Sequence, residues 1–149
     1  MSEEVTLTVA VPAPAEVAWA VASDWANQGE WMLGTEVHRT GGDGQSTGST
    51  MVAFTGVAGL GFFDTMEITG WDPPRSCQVR HTGKLLRGDG GFRIEPTSDR
   101  LSRLVWWERL DLPYGPLGKV GWPLVRPAFT WGLRRSLDRF ARLCRDRRP

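Results

Sequence analysis

A chain of 149 residues has the length of one domain, enough to bury a core with little left for a second, and residues 1–149 are read as a single unit. Its 18 Lys and Arg against 17 Asp and Glu leave a net charge of +1, so no overall field draws in nucleic acid or anionic lipid, which argues against a nucleic-acid binder. No stretch approaches the roughly 18 apolar residues of a membrane span, and the start, Met1-Ser2-Glu3-Glu4, is acidic without a signal-peptide apolar run; a cytoplasmic protein with no integral membrane association is expected.

The charge is uneven. Arg134, Arg135, Arg139, Arg142, Arg145, Arg147 and Arg148 crowd the end of the chain, opposed by Asp138 and Asp146. A basic helix can touch acidic lipid or RNA, but the plainer reading is a solvated outer face. Cys77 and Cys144 lie far apart with no CxxC or Cys/His cluster. A zinc site needs about four gathered ligands, so no metal and no cofactor are expected, and the cysteines read as reduced, buried thiols. Eight Trp against one Tyr is unusual; Trp walls pockets as well as filling cores.

Residues 5–11 alternate at period two, the pattern of a half-buried strand with Val5, Leu7, Val9 and Val11 on one face. Pro12 and Pro14 stop it, and Pro14 suits the opening of a helix whose Val17, Val21 and Trp25 recur at helical spacing. Asp24 is placed to cap a second short helix running through Trp25 toward Trp31. A weak strand over 35–40 ends in the turn Gly41-Gly42-Asp43-Gly44, and a stronger one spans 49–55. Gly56, Gly59 and Gly61 read as a loop of little bulk, either an ordinary hairpin loop or a gate.

Residues 62–71 and 76–82 read as paired strands joined at Asp72-Pro73-Pro74-Arg75. A further strand runs from about Leu85 through 92–95, and Gly88, Gly90 and Gly91 inside it permit the bulges and bends that let a sheet curl. After Pro96-Thr97-Ser98-Asp99, residues 102–110 form the last strand, with Leu104, Trp106, Glu108 and Leu110 on one face. Tyr114-Gly115-Pro116-Leu117-Gly118 breaks it. The remainder reads as helix, open to a kink at Pro123 and bounded or bent near Pro127. Phe129, Leu133, Leu137, Phe140 and Cys144 then form an apolar stripe at spacings of three and four, with the arginines mainly off it.

The order is strand, two short helices, six strands and one long helix. Together with residues 11–19, Asp24-Trp25, Glu30-Trp31, Trp71-Asp72-Pro73-Pro74-Arg75 and Ser136-Leu137-Asp138-Arg139-Phe140, it resembles the START-like, or SRPBCC, superfamily over nearly the whole chain. The narrower resemblance is to its polyketide cyclase/dehydrase-like branch, carried by Val79-Arg80-His81-Thr82-Gly83 and the run from Leu117-Gly118 to Pro127. The resemblance implies an α+β helix-grip fold: a curved antiparallel sheet of about seven strands wrapped around the C-terminal helix, with the short helices closing one end. It also implies a cavity between sheet and helix for a hydrophobic small molecule. One fold hosts many chemistries, and only some members are enzymes.

If Ile68 and Met66 face inward, as the resemblance suggests, period two sends Asp64 inward as well. A buried carboxyl titrates high unless paired and serves as a general acid or base. Glu108, on the face of Leu104 and Trp106, raises the same question, and two such groups could divide the roles. Either could instead sit in water at a strand end or bridge to arginine. His81 shares parity with Cys77 and Val79, so it projects toward the cavity or lies hydrogen-bonded at the rim, with Arg80 pointing outward. His38, beside Arg39 on a weak strand, reads as exposed. The candidate ligand-binding set is Trp31, Phe54, Phe62, Met66, Trp106, Phe129 and Leu133, for which plain core is the competing account.

No nucleophile elbow, phosphate loop, HExxH or dinucleotide fingerprint appears, and no feature sets an oligomeric state. The leading expectation is a binding protein for a polyketide-like, polycyclic or lipid ligand. The alternative is a cofactor-independent cyclase, aromatase or dehydratase using Asp64, His81 or Glu108 to move protons.

Overall fold

The computed structural model describes residues 2–112 and 115–147; Tyr114 of the expected break and Arg148 of the basic run lie outside them. The chain runs β1 (Ser2–Val11), α1 (Ala15–Ala22), a 3-10 helix (Trp25–Glu30), β2 (Thr35–Gly41), β3 (Thr50–Val57), β4 (Leu60–Asp72), β5 (Ser76–Thr82), β6 (Arg87–Pro96), β7 (Ser102–Asp111) and α2 (Pro116–Arg147). All seven strands form one antiparallel sheet in the order β1-β7-β6-β5-β4-β3-β2. The sheet curves around α2, which is the helix-grip architecture.

Period two decides what each strand buries. On β1, Val5, Leu7 and Val11 are buried, and on β7 so are Leu104, Glu108 and Leu110, with Trp106 half-buried beside them. Pro14 lacks an N–H but keeps its carbonyl, which accepts the amides of Val17 and Ala18 at 3.1 Å and starts α1. Asp24 does not cap with its side chain. Its carboxylate takes the Asn27 amide group at 2.8 Å, and the segment that follows is a tight 3-10 turn.

Two expectations are corrected. Gly56 and Gly61 do not interrupt the chain, because β3 and β4 continue through them and pair there; the connection is only Ala58 and Gly59, both at positive φ, a two-residue hairpin turn. A Cβ on Gly61 would stand 2.0 Å from the Thr55 carbonyl oxygen, so this crossing needs glycine. Strand β4 also carries a bulge. Register slips between Ile68 and Gly70, leaving Thr69 as the extra residue, and this turns Trp71 inward against Trp19 at 5.0 Å, edge to face. The second correction is at Pro127, where of the two readings, bounded or bent, the boundary falls because α2 runs through both Pro123 and Pro127.

The core lies where the C-terminal half of α2 meets the sheet. Leu133, Leu137, Phe140 and Cys144 are buried there, and Trp31 stands edge-on to Phe140 at 5.0 Å and to Trp106 at 5.8 Å. Ser136, also buried, accepts the Leu33 amide at 2.9 Å and donates to the Gly132 carbonyl, fastening the segment after the 3-10 helix to α2. Both cysteines are free and buried, and burial pushes each thiol up to about 12.

Candidate functional site

Between the sheet and α2 lies a cavity of about 320 Å³. Its walls come from every strand except β1, from Trp25 and Gln28 on the 3-10 helix, from Met32 and Leu33 just after it, and from Ala128, Phe129, Gly132, Leu133 and Ser136 on α2. The inward residues of β4, Phe62, Asp64 and Met66, are spaced by two, as are Cys77, Val79 and His81 of β5 and Trp106, Glu108 and Leu110 of β7.

Strand pairing brings three ionisable side chains into one group. Ala53 stands opposite Asp64, Met66 opposite His81, and Gly90 opposite Glu108. His81 Nδ1–H donates to Asp64 at 2.9 Å to Oδ1 and 3.1 Å to Oδ2, and Nε2–H donates to Glu108 Oε2 at 2.8 Å. Trp106 Nε1–H reaches the other Glu108 oxygen at 3.3 Å. All three ionisable residues are buried, at 5 to 9 % exposure, so they face each other and the cavity rather than bulk water. Burial on its own would lower the His81 pKa. The hydrogen bonds to Asp64 and Glu108, and then their charges, outweigh it and carry His81 up to about 10. At neutral pH the imidazolium is clamped between two carboxylates. Because those carboxylates lie at opposite ring nitrogens they do not converge on a common point, and among the described residues no group of three His, Cys, Asp or Glu is arranged to hold a metal ion.

Gly90 makes this arrangement possible. A Cβ there would lie 2.3 Å from Glu108 Oε2 and 3.1 Å from His81 Nε2, so any side chain at this position would push the pair apart. Sequence reading assigned the β6 glycines to curvature alone; the missed signal was that Gly90 stands opposite Glu108 across β6 and β7. Gln28 was also missed. It is a buried amide on the cavity wall whose Oε1 has no hydrogen-bond partner, and its only trace in the sequence is a polar residue between Trp25 and Trp31.

Phe62, Met66, Trp106, Phe129 and Leu133 stand in the wall of the cavity, whereas Trp31 and Phe54 do not. Trp31 is core, held in its cage of Phe140 and Trp106. Phe54 falls between the inward Ala53 and Thr55, so the pleat sends it to the outer face, where it meets Phe63 at 5.1 Å. Arg80 is exposed and lies 3.6 Å from Asp89, and His38 is exposed beside Glu36.

Among solved structures, the chain is similar to the Zhui aromatase/cyclase from Streptomyces sp. R1128, with a TM-score of 0.82, 17% identity, and 99% of this chain and 96% of that one covered. It is also similar to a START superfamily protein from Mycobacterium smegmatis, at TM-score 0.72 and 17% identity over 94% and 98%. A third is norcoclaurine synthase from Thalictrum flavum in complex with dopamine and hydroxybenzaldehyde, at TM-score 0.68 and 13% identity over 100% and 90%. At such identities the likeness is one of fold. No curated protein matches the chain by sequence. The model of the family described as polyketide cyclase/dehydrase and lipid transport matches residues 2–145, and the chain belongs to that family.

Proposed function

We propose that this chain encloses an apolar small molecule, polyketide-like, polycyclic or lipid-like, between its sheet and α2. The observation that carries this reading is the wall of the cavity, where, among the described residues, aromatic and aliphatic side chains from six strands and two helical segments surround a single charged cluster. The family description, with its polyketide and lipid-transport members, supports a hydrophobic guest. So does norcoclaurine synthase, of similar fold, whose structure is a complex with dopamine and hydroxybenzaldehyde. N-phenyl-1-naphthylamine, a neutral dye that brightens in apolar surroundings, tests it. Saturable 1:1 binding is expected, lost on Ala53→Phe, which fills the wall opposite Asp64. Absence of saturation, or binding that Ala53→Phe leaves intact, would overturn the reading.

A second reading, acid–base catalysis on the guest, is favoured by the clamped imidazolium. Three buried ionisable groups in an apolar wall are a costly feature for a passive container, and strongly shifted pKa values gather at catalytic sites. Both His81 N–H groups are occupied, so the atoms that meet a guest are carboxylate oxygens. One of these takes a proton from a methylene flanked by carbonyls, and the carbanion attacks a second carbonyl carbon to form the ring bond. The proton then returns to the new alkoxide. A carboxylate then takes a second α-proton and passes it to the departing hydroxyl, which leaves as water while the C–H electron pair forms the new C=C bond, completing a dehydration. Orientation of a folded chain by the walls contributes separately. With a short poly-β-ketone thioester mimic, Asp64→Asn, Glu108→Gln and His81→Gln should each lower turnover by about 10²-fold or more while dye binding persists. Turnover at the wild-type rate in all three would remove the catalytic role.

A further inference from the structure

Resting on the reading that the cavity holds a small molecule, we propose that its guest carries one protonated amine on an apolar, ring-containing skeleton, and that carboxylates and phosphates are excluded. The first ground is charge. Asp64, His81 and Glu108 together hold one unit of negative charge, whichever atom along the Nε2···Oε2 contact carries the shared proton. Among the described residues, no Lys or Arg lines the cavity. Arg80 and Arg109 nearby on β5 and β7 are exposed and paired with Asp89 and Glu4. A buried net charge without a counterion is unfavourable, and a monocation would bring the site to neutrality where an anion would double the imbalance.

The second ground is a donor and acceptor inventory, independent of charge. Side-chain donors in the wall are already engaged within the protein. Trp25 Nε1–H donates to the Gly44 carbonyl at 2.7 Å, Trp106 to Glu108, and both His81 nitrogens to carboxylates. Ser136 donates to the Gly132 carbonyl, while Thr35 donates to the Leu33 carbonyl, which leaves the Thr35–Thr55 contact at 3.1 Å for the Thr55 proton. What remains in the wall is acceptor capacity: lone pairs on the two carboxylates, and the side-chain oxygen of the wall residue Gln28, buried without a partner. Among the described wall residues, only the Gln28 amide and the weak Cys77 thiol are left as side-chain donors. A wall of this kind satisfies a guest that donates protons and leaves a carboxylate without partners. The stacked pair Phe92 and Trp106, 5.9 Å between centroids, adds π faces that also attract a cation.

The test uses one skeleton with four head groups: naphthalene, 2-naphthol, 2-naphthoate and 2-naphthylmethylamine, titrated into the full chain at pH 7 by calorimetry. The amine should bind about 10-fold or more tighter than naphthalene, with naphthol between them and naphthoate weakest. Asp64→Asn and Glu108→Gln, each checked for folding by circular dichroism, should reduce the amine-to-naphthoate ratio by about 10-fold. Gln28→Leu, which leaves the charged group alone, should weaken naphthol and the amine relative to naphthalene. Naphthoate binding as tightly as the amine, or a ratio unmoved in all three variants, overturns the proposal and leaves the apolar cavity standing. If none of the four binds, the cavity reading falls and this inference with it.

Discussion

The two halves of α2 carry similar numbers of apolar residues and use them in opposite ways. From Leu133 onward the helix buries Leu133, Ser136, Leu137, Phe140 and Cys144 against the sheet, whereas from Pro116 to Gly132 it buries no residue. In that first half Leu117, Val120, Leu124, Val125 and Trp131 are all more than half exposed. The C-terminal half is core, while the N-terminal half reaches the cavity, among the described residues, only through Ala128, Phe129 and Gly132. Both prolines fall in the exposed half. Each removes one intrahelical hydrogen bond, leaving the carbonyls of Lys119 and Pro123 without their usual donors, and both prolines are exposed, where water substitutes most readily. One continuous helix is thus a strut at one end and largely exposed at the other.

Phe140→Ala should break the strut. The ring is fully buried, and its truncation should cost about 3–5 kcal/mol in urea unfolding. Leu124→Ala, in the other half and 81% exposed, should stay within about 0.5 kcal/mol. Equal losses for the two would show that the halves are gripped alike.

The next largest effect is in pH. His81 titrates at about 10 in the folded chain against 6.5 ordinarily, so its clamp contributes in full below pH 6.5. That contribution declines as pH rises and is gone above about 10, a few kcal/mol in all. Above pH 9 the buried thiols of Cys77 and Cys144, pushed up to about 12, begin to act in the same direction. The quantity to measure is therefore the difference between wild type and His81→Gln. It should shrink between pH 6.5 and 10, with ¹⁵N shifts of the His81 ring placing the midpoint. A flat difference would mean that the carboxylates do not hold the imidazolium.

Element order was legible because it depends on local pattern: alternation gave the strands, and the stripe from Phe129 to Cys144 gave the gripped part of the helix. Parity, with Met66 and Ile68 turned inward by the resemblance, offered inward faces for Asp64, His81 and Glu108, but a strand end, an arginine bridge or the sheet rim stayed open as alternatives. Their meeting was not legible, because it depends on register across three strand pairs, and register is set by the whole sheet. Phe54 was misjudged by one step of the pleat, and Trp31 because a large aromatic has the same sequence signature in a core as in a wall. The bulge at Thr69 left no mark in the sequence, since nothing in Ile68-Thr69-Gly70-Trp71 says which residue loses its partner.

Gly90 offers the finest test of the difference between gripped core and open cavity, because it belongs to the sheet and yet shapes the site. An added Cβ would meet the end of the Glu108 side chain at 2.3 Å, with His81 Nε2 the next nearest group. Backbone is not what yields; Glu108 must swing off His81 or carry the ring with it. Gly90→Ala should therefore cost about 1–3 kcal/mol, less than losing Phe140. Its signature is more specific than its size, for with one clamp loosened His81 should titrate about 1 unit lower or more. The stability difference between wild type and Gly90→Ala should then be largest below pH 6.5 and narrow as pH rises toward 10. A variant equally destabilised at every pH would mean that the methyl group strains the sheet without touching the clamp, and Gly90 would return to the role its sequence suggested, a hinge for curvature.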